Sequence, residues 1–180
     1  MYTTQASGHV NASRPAVYRA LVSADAIARW RVPPGMRSEV HAFEAREGGG
    51  FRVSLTYDAP DAAGKSAAHT DTYHGHFARL VPDEVVVEVL EFEARDPALH
   101  GTMTMTTTLT DAGGGTDVLI VHEGVPDAVP AADNEAGMRA ALTQLARCVE
   151  RGEVAVEKDG RPVGRGGGPS GPGRASGPGG

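Results

Sequence analysis

Thr108–Gly124, "TLTDAGGGTDVLIVHEG", is the stretch whose reading decides the fold. Two alternating segments flank a glycine run, the pattern of a β-hairpin. Met103, Met105, Thr107 and Leu109 share parity on the first strand; Val118, Ile120 and His122 share parity on the second. If the apolar set faces inward, so does His122. A histidine on an inward face is either hydrogen-bonded in a packed core or looks into a cavity.

Downstream of the hairpin lies the element that must cover it. Asn134 offers a helix cap, and Met138, Leu142, Leu145 and Val149 follow at helical spacing. They form one apolar face on a helix of about four turns. Arg139, Thr143, Arg147 and Glu150 occupy the opposite face. Burying each large apolar side chain contributes on the order of 1.5–3 kcal/mol before entropy, so this helix lies on a sheet.

Upstream, Gln5–Asn11 reads as a first strand. Ser13 and Ser23 are caps for two short helices, the first with Pro15 in its opening turn, the second Ala24–Trp30 halted before Pro33 and Pro34. Strands are expected over Met36–Ala45, Phe51–Tyr57, Thr70–Val81, Val85–Glu93, Met103–Thr110 and Thr116–Val125. The class is α+β: a curved antiparallel sheet of about seven strands gripping one long C-terminal helix. One helix cannot fill the whole interior of such a sheet, and the remaining gap is a natural ligand cavity.

The chain has 180 residues and a net charge of −6. Residues 158–180 hold four basic residues (Lys158, Arg161, Arg165, Arg174) against one acid (Asp159), leaving −9 on residues 1–157. So acidic a body argues against nucleic-acid and anionic-membrane partners. With a single cysteine, Cys148, no internal disulfide forms, and neither a signal peptide nor a membrane span is legible. The expected location is the cytoplasm. The glycine- and proline-rich end cannot offset its own ordering entropy, so the expected division is a folded domain over 1–152 and a disordered tail over 153–180.

Five blocks carry a family likeness: "RPAVYRALVSADAIARWRVPPG" (14–35), "FEAREGGGFRV" (43–53), "HGHFARLVPDEVVVEV" (74–89), "TLTDAGGGTDVLIVHEGVPD" (108–127) and "NEAGMRAALTQLARCVE" (134–150). Together they resemble bacterial homologues of the C-terminal domain of the heat-shock protein 90 ATPase activator. That family lies within the START/Bet v 1-like helix-grip superfamily, SRPBCC. Many members have tryptophan where this chain has Met138, a smaller and more flexible side chain. The resemblance implies the helix-grip fold and a possible protein-binding surface; members of the wider superfamily bind lipids, hormones or polyketides, and some are cyclases or hydrolases.

The residues expected to border a ligand cavity are Trp30, Tyr57, Tyr73, Phe77, Met103, Met105, His122, Met138 and Leu142, with His122 beneath Met138 and Leu142. Aromatic and methionine side chains suit a flat or flexible apolar molecule. Ordinary core packing is the competing reading for each. His74 and His76 share a strand face opposite Tyr73, Gly75 and Phe77 and are expected to point outward, so no metal is assigned. Glu91 shares parity with Val85, Val87 and Val89, which would turn it inward; a bulge or frayed strand end that places it in solvent is the favoured reading. Cys148 reads as a buried, inert thiol. No cofactor and no catalytic residue is assigned. Binding of a small apolar molecule ranks first, a protein-interaction module second, and an enzyme using His122 with Tyr57 or Glu91 third.

Overall fold

In a computed structural model that describes residues 1–152, seven strands form one antiparallel sheet. The elements are β1 (Tyr2–Val10), α1 (Arg14–Leu21), α2 (Ala24–Trp30), β2 (Met36–Phe43), β3 (Gly50–Tyr57), β4 (Thr70–Val81), β5 (Val85–Phe92), a 3-10 turn (Pro97–Leu99), β6 (Met103–Ala112), β7 (Gly115–Val125) and α3 (Ala131–Glu150). The strand order is β1-β7-β6-β5-β4-β3-β2, the helix-grip arrangement. The expected tail over 153–180 lies outside the described residues.

Local chemistry explains most boundaries. Ser13 Oγ accepts from the Ala16 amide at 3.4 Å and Ser23 Oγ from the Ala26 amide at 3.3 Å, so both serines cap as expected. Between β6 and β7, Gly113 and Gly114 adopt φ of 56° and 87°. Two consecutive positive φ values make the tight turn that matches strand twist, and glycine takes them without steric penalty.

Two boundaries differ from expectation by three residues or more. The first strand starts at Tyr2, where its first residues pair with the end of β7. The last helix starts at Ala131 behind Pro130, and Asn134 is not its cap. Pro130 already holds φ at −59° and supplies the carbonyl that the Asp133 and Asn134 amides reach, so the helix opens earlier. The Asn134 side chain is thereby released for other partners.

The apolar face of α3 is as expected: Met138, Leu142, Leu145 and Val149 are buried. Its principal neighbour is β1, one edge of the sheet, with α1 and α2 beside it. At Gly8 of β1, a Cβ would stand 3.5 Å from the Leu142 Cβ, so the strand passes close under the helix. The contact of α2 with β2 lies at the opposite edge. Among the central strands, β6 and β7 also meet α1, while β5 and β4 turn their inner side chains to the interior.

Candidate functional site

The sheet register sets out one transverse row on the inner face. Thr4 lies opposite His122, His122 opposite Met105, Met105 opposite Glu88, and Glu88 opposite Phe77. The row crosses five adjacent strands from β1 to β4. Three of its members are polar and all three are buried: Thr4, His122 and Glu88. Adjacent strands lie about 4.8 Å apart, so His122 and Glu88 stand roughly 10 Å apart at their backbones, with Met105 between them.

Helical residues close over this row from two sides. Asn134, in the first turns of α3, reaches Thr4 and His122. Thr4 Oγ1 donates to Asn134 Oδ1 at 2.5 Å, and Asn134 Nδ2 stands 3.3 Å from His122 Nδ1. Arg31, the residue after α2, reaches Glu88: Nη1 and Nη2 donate to Oε1 and Oε2 at 2.7 and 2.8 Å. A fork-to-fork pair of this kind is what makes a carboxylate tolerable at 1% exposure. Trp30 fixes the arginine from behind. Its indole Nε1 donates to the Ala20 carbonyl at 2.9 Å, and the Arg31 guanidinium stands 5.0 Å from the Trp30 ring centroid.

Charge follows from this placement. Burial pulls the Arg31 guanidinium towards neutrality, but the Glu88 carboxylate outweighs it and holds the cation above its ordinary range. Burial is also the main influence on His122 and lowers its pKa; Arg31 lowers it further, while the Asn134 contact and Glu88 oppose the fall. The imidazole is thus held neutral. Burial raises the Tyr73 hydroxyl, with Arg31 pulling the other way.

Among the described residues three buried side-chain atoms make no hydrogen bond: Ser38 Oγ on β2, Tyr73 Oη and His122 Nε2. The Tyr73 hydroxyl still interacts with the Arg31 guanidinium, which lowers its pKa, so His122 Nε2 is the atom of the row with no protein group to engage it. His122 and Tyr73 are both buried on the inner face, where buried polar groups are usually satisfied.

The nine residues expected from the sequence fall into two groups. Trp30, Tyr73, Phe77, Met103, His122, Met138 and Leu142 are buried. Tyr57 and Met105 are half-buried. His122 meets the helix at Asn134, one turn before Met138. Phe77 packs edge-on against Phe43 and Phe51, at centroid distances of 5.4 and 5.3 Å. Tyr57 points its hydroxyl at Asp71, 3.3 Å away, within a separate group where Asp71 also accepts from Lys65 Nζ. Two open grooves, of about 480 and 560 Å³, lie between α3 and the α2–β2 segment, and none of the nine lines either. Gln144 borders both, and its Nε2 donates to the Val32 carbonyl at 2.7 Å.

Glu91 is in solvent, the favoured reading, accepting from Thr102 Oγ1 at 2.5 Å, but the reason is the parity of the strand rather than a bulge or frayed end: the inward carboxylate of β5 is Glu88. The inner face of β5 is Val86, Glu88 and Leu90; Val85, Val87 and Val89 are only half-buried. Both parities of this strand are largely apolar, so alternation alone assigns neither face. Arg31 and Glu88 were thus missed, although a charged residue directly after a tryptophan-closed helix was a usable signal. His74 and His76 are exposed, as expected, and Cys148 is buried.

Comparison with known proteins adds identity to this geometry. The profile of one family, Activator of Hsp90 ATPase homolog 1-like protein, matches residues 11–150. No curated protein matches the chain. A crystal structure of a protein from Chromobacterium violaceum is similar at 29% identity and TM-score 0.72, covering 83% of this chain and 99% of that one. A solution structure of an AHSA1-like protein from Aeromonas hydrophila is similar in fold at 17% identity and TM-score 0.65, covering 88% and 99%. DynU16, from the dynemicin biosynthetic locus, is similar in fold at 19% identity and TM-score 0.60; 84% of this chain covers 48% of that one.

Proposed function

Because the chain belongs to the Activator of Hsp90 ATPase homolog 1-like family, whose fold serves ligand-binding and interaction modules, we propose that it binds a small, mainly apolar molecule between the sheet and α3. The observation that carries this reading is His122 Nε2, a buried polar atom without a partner among the buried apolar side chains of the inner face, with the Tyr73 hydroxyl on the same face. An unpaired polar atom is rare in an ordinary core, whereas a ligand pocket needs a few polar groups among apolar ones.

Met105 supports it. This residue lies on β6, a central strand, between His122 and Glu88, and yet it is only half-buried. On this reading, that exposure reflects space above Met105 for the ligand. Trp30, Tyr73, Phe77, Met103, Met138 and Leu142 supply the apolar walls, and His122 the polar end; Tyr57 belongs to the rim.

The test is fluorescence of the neutral probe N-phenyl-1-naphthylamine with the full chain. Saturable enhancement is expected, and Met105→Trp, which fills the space with its own ring, abolishes it while the thermal unfolding transition persists. Absence of saturable enhancement in the wild-type protein, or full enhancement in Met105→Trp, contradicts the proposal.

A further inference from the structure

The hydrogen bonds around Asn134 determine which nitrogen of His122 carries its proton. Thr4 Oγ1 donates to Asn134 Oδ1, which turns the amide nitrogen towards His122 Nδ1. An amide NH₂ only donates, so Nδ1 accepts. A neutral imidazole has a single N–H, and it is therefore on Nε2, the atom left without a partner. What the interior lacks at this point is an acceptor.

The rest of the site restricts the kind of acceptor. The Arg31 guanidinium is matched by both oxygens of Glu88, so it leaves no net positive charge for an anion. A buried carboxylate or phosphate beside His122 would stand without a counter-charge, which is expensive in an apolar interior. A hydroxyl could accept, but it would bring an O–H donor of its own into an apolar interior, where it must find a further acceptor. A carbonyl oxygen brings acceptor capacity alone.

Resting on the reading that a small molecule occupies this interior, we infer that the ligand is an apolar molecule bearing a neutral carbonyl oxygen, seated to accept from His122 Nε2–H. Thr4 and Asn134 are positioning residues in this scheme: they do not touch the ligand, and they fix the tautomer of the group that does.

The experiment compares benzophenone with diphenylmethane, which share a framework and differ by the carbonyl, as competitors for N-phenyl-1-naphthylamine on the full chain. One net hydrogen bond corresponds to roughly 3- to 10-fold in affinity, so benzophenone is expected to bind tighter by about that factor. His122→Phe keeps a ring in place and should bring the two affinities together. Long-range proton–nitrogen correlation on ¹⁵N-labelled protein should place the imidazole proton on Nε2, and Asn134→Asp, which supplies only acceptors, should move it to Nδ1 and remove the preference for the ketone. Equal binding of the two compounds to the wild-type protein, or a proton on wild-type Nδ1, overturns the carbonyl assignment and leaves the small-molecule reading standing. Displacement by neither compound, where the fluorescent probe does bind, also overturns the assignment; failure of the fluorescent probe itself brings down the reading beneath it.

Discussion

Glu88 and Arg31 are the residues on which the interior depends most. A carboxylate at 1% exposure survives because a guanidinium grips both of its oxygens. Arg31→Ala leaves that carboxylate buried and alone, and should cost about 3–5 kcal/mol. The double variant Arg31→Met/Glu88→Leu removes both charges at once and should be far milder than Arg31→Ala. Urea denaturation of the three proteins checks the order; an Arg31→Ala protein as stable as the double variant would contradict it.

His122 makes a different prediction, in pH. Burial lowers its folded pKa below the ordinary 6.5 of the unfolded chain. Between those two values the unfolded state binds more protons, so stability rises with pH there. The contribution is complete above about 6.5 and is lost as pH falls through that value towards the folded pKa. Arg31 and Glu88 act on His122 in opposite senses and do not reverse the fall that burial causes. Subtracting the stability–pH profile of His122→Gln from that of the wild type should leave a slope confined to the acid side of neutrality. A flat difference would contradict the placement of His122.

At the level of elements, two strand glycines should respond oppositely to the same change. At Gly75 a Cβ would come within 2.1 Å of the Val89 carbonyl oxygen and 2.9 Å of the Leu90 Cα, both backbone atoms of β5. Gly75→Ala must spread the β4–β5 ladder and should cost at least about 1–3 kcal/mol. At Gly8 the new methyl would meet Leu142 at ordinary contact distances of 3.5 and 3.7 Å. Gly8→Ala should be neutral or stabilise by about 0.5–1 kcal/mol, because glycine weakens a strand interior. Thermal melts of both variants decide this, and equal losses would contradict the close packing of β4 on β5.

The same elements show what a sequence can and cannot carry. Ser13 and Ser23 were legible as caps because a cap is a local bond, three residues long. The glycine turn and the inward parity of His122 were legible because alternation on β7 is clean. β5 was not, because Val85, Val87 and Val89 are as apolar as Val86 and Leu90, and the choice of face rests on an arginine 57 positions away. Asn134 was misplaced as a cap for a related reason. The side-chain chemistry that suits a cap also suits a bridge between Thr4 and His122, and only tertiary structure tells them apart. Arg31, Glu88 and the Asn134 bridge were therefore hidden, and His122 and the apolar side chains were not.

On the scale of the whole molecule, the family fold places α3 against an edge strand and α1 beside β6 and β7, with the other central strands turning their inner side chains to the interior. The row Thr4, His122, Met105, Glu88 is where that interior becomes polar, and the orphaned His122 Nε2 lies in it. The central claim is that this interior holds a small molecule. Native mass spectrometry of the full chain, purified without organic solvent or heat, tests it most directly. The account predicts a bound species of small-molecule mass that leaves on collisional activation and is absent from Met105→Trp. The mass of the bare chain alone, or an adduct retained undiminished by Met105→Trp, would contradict it.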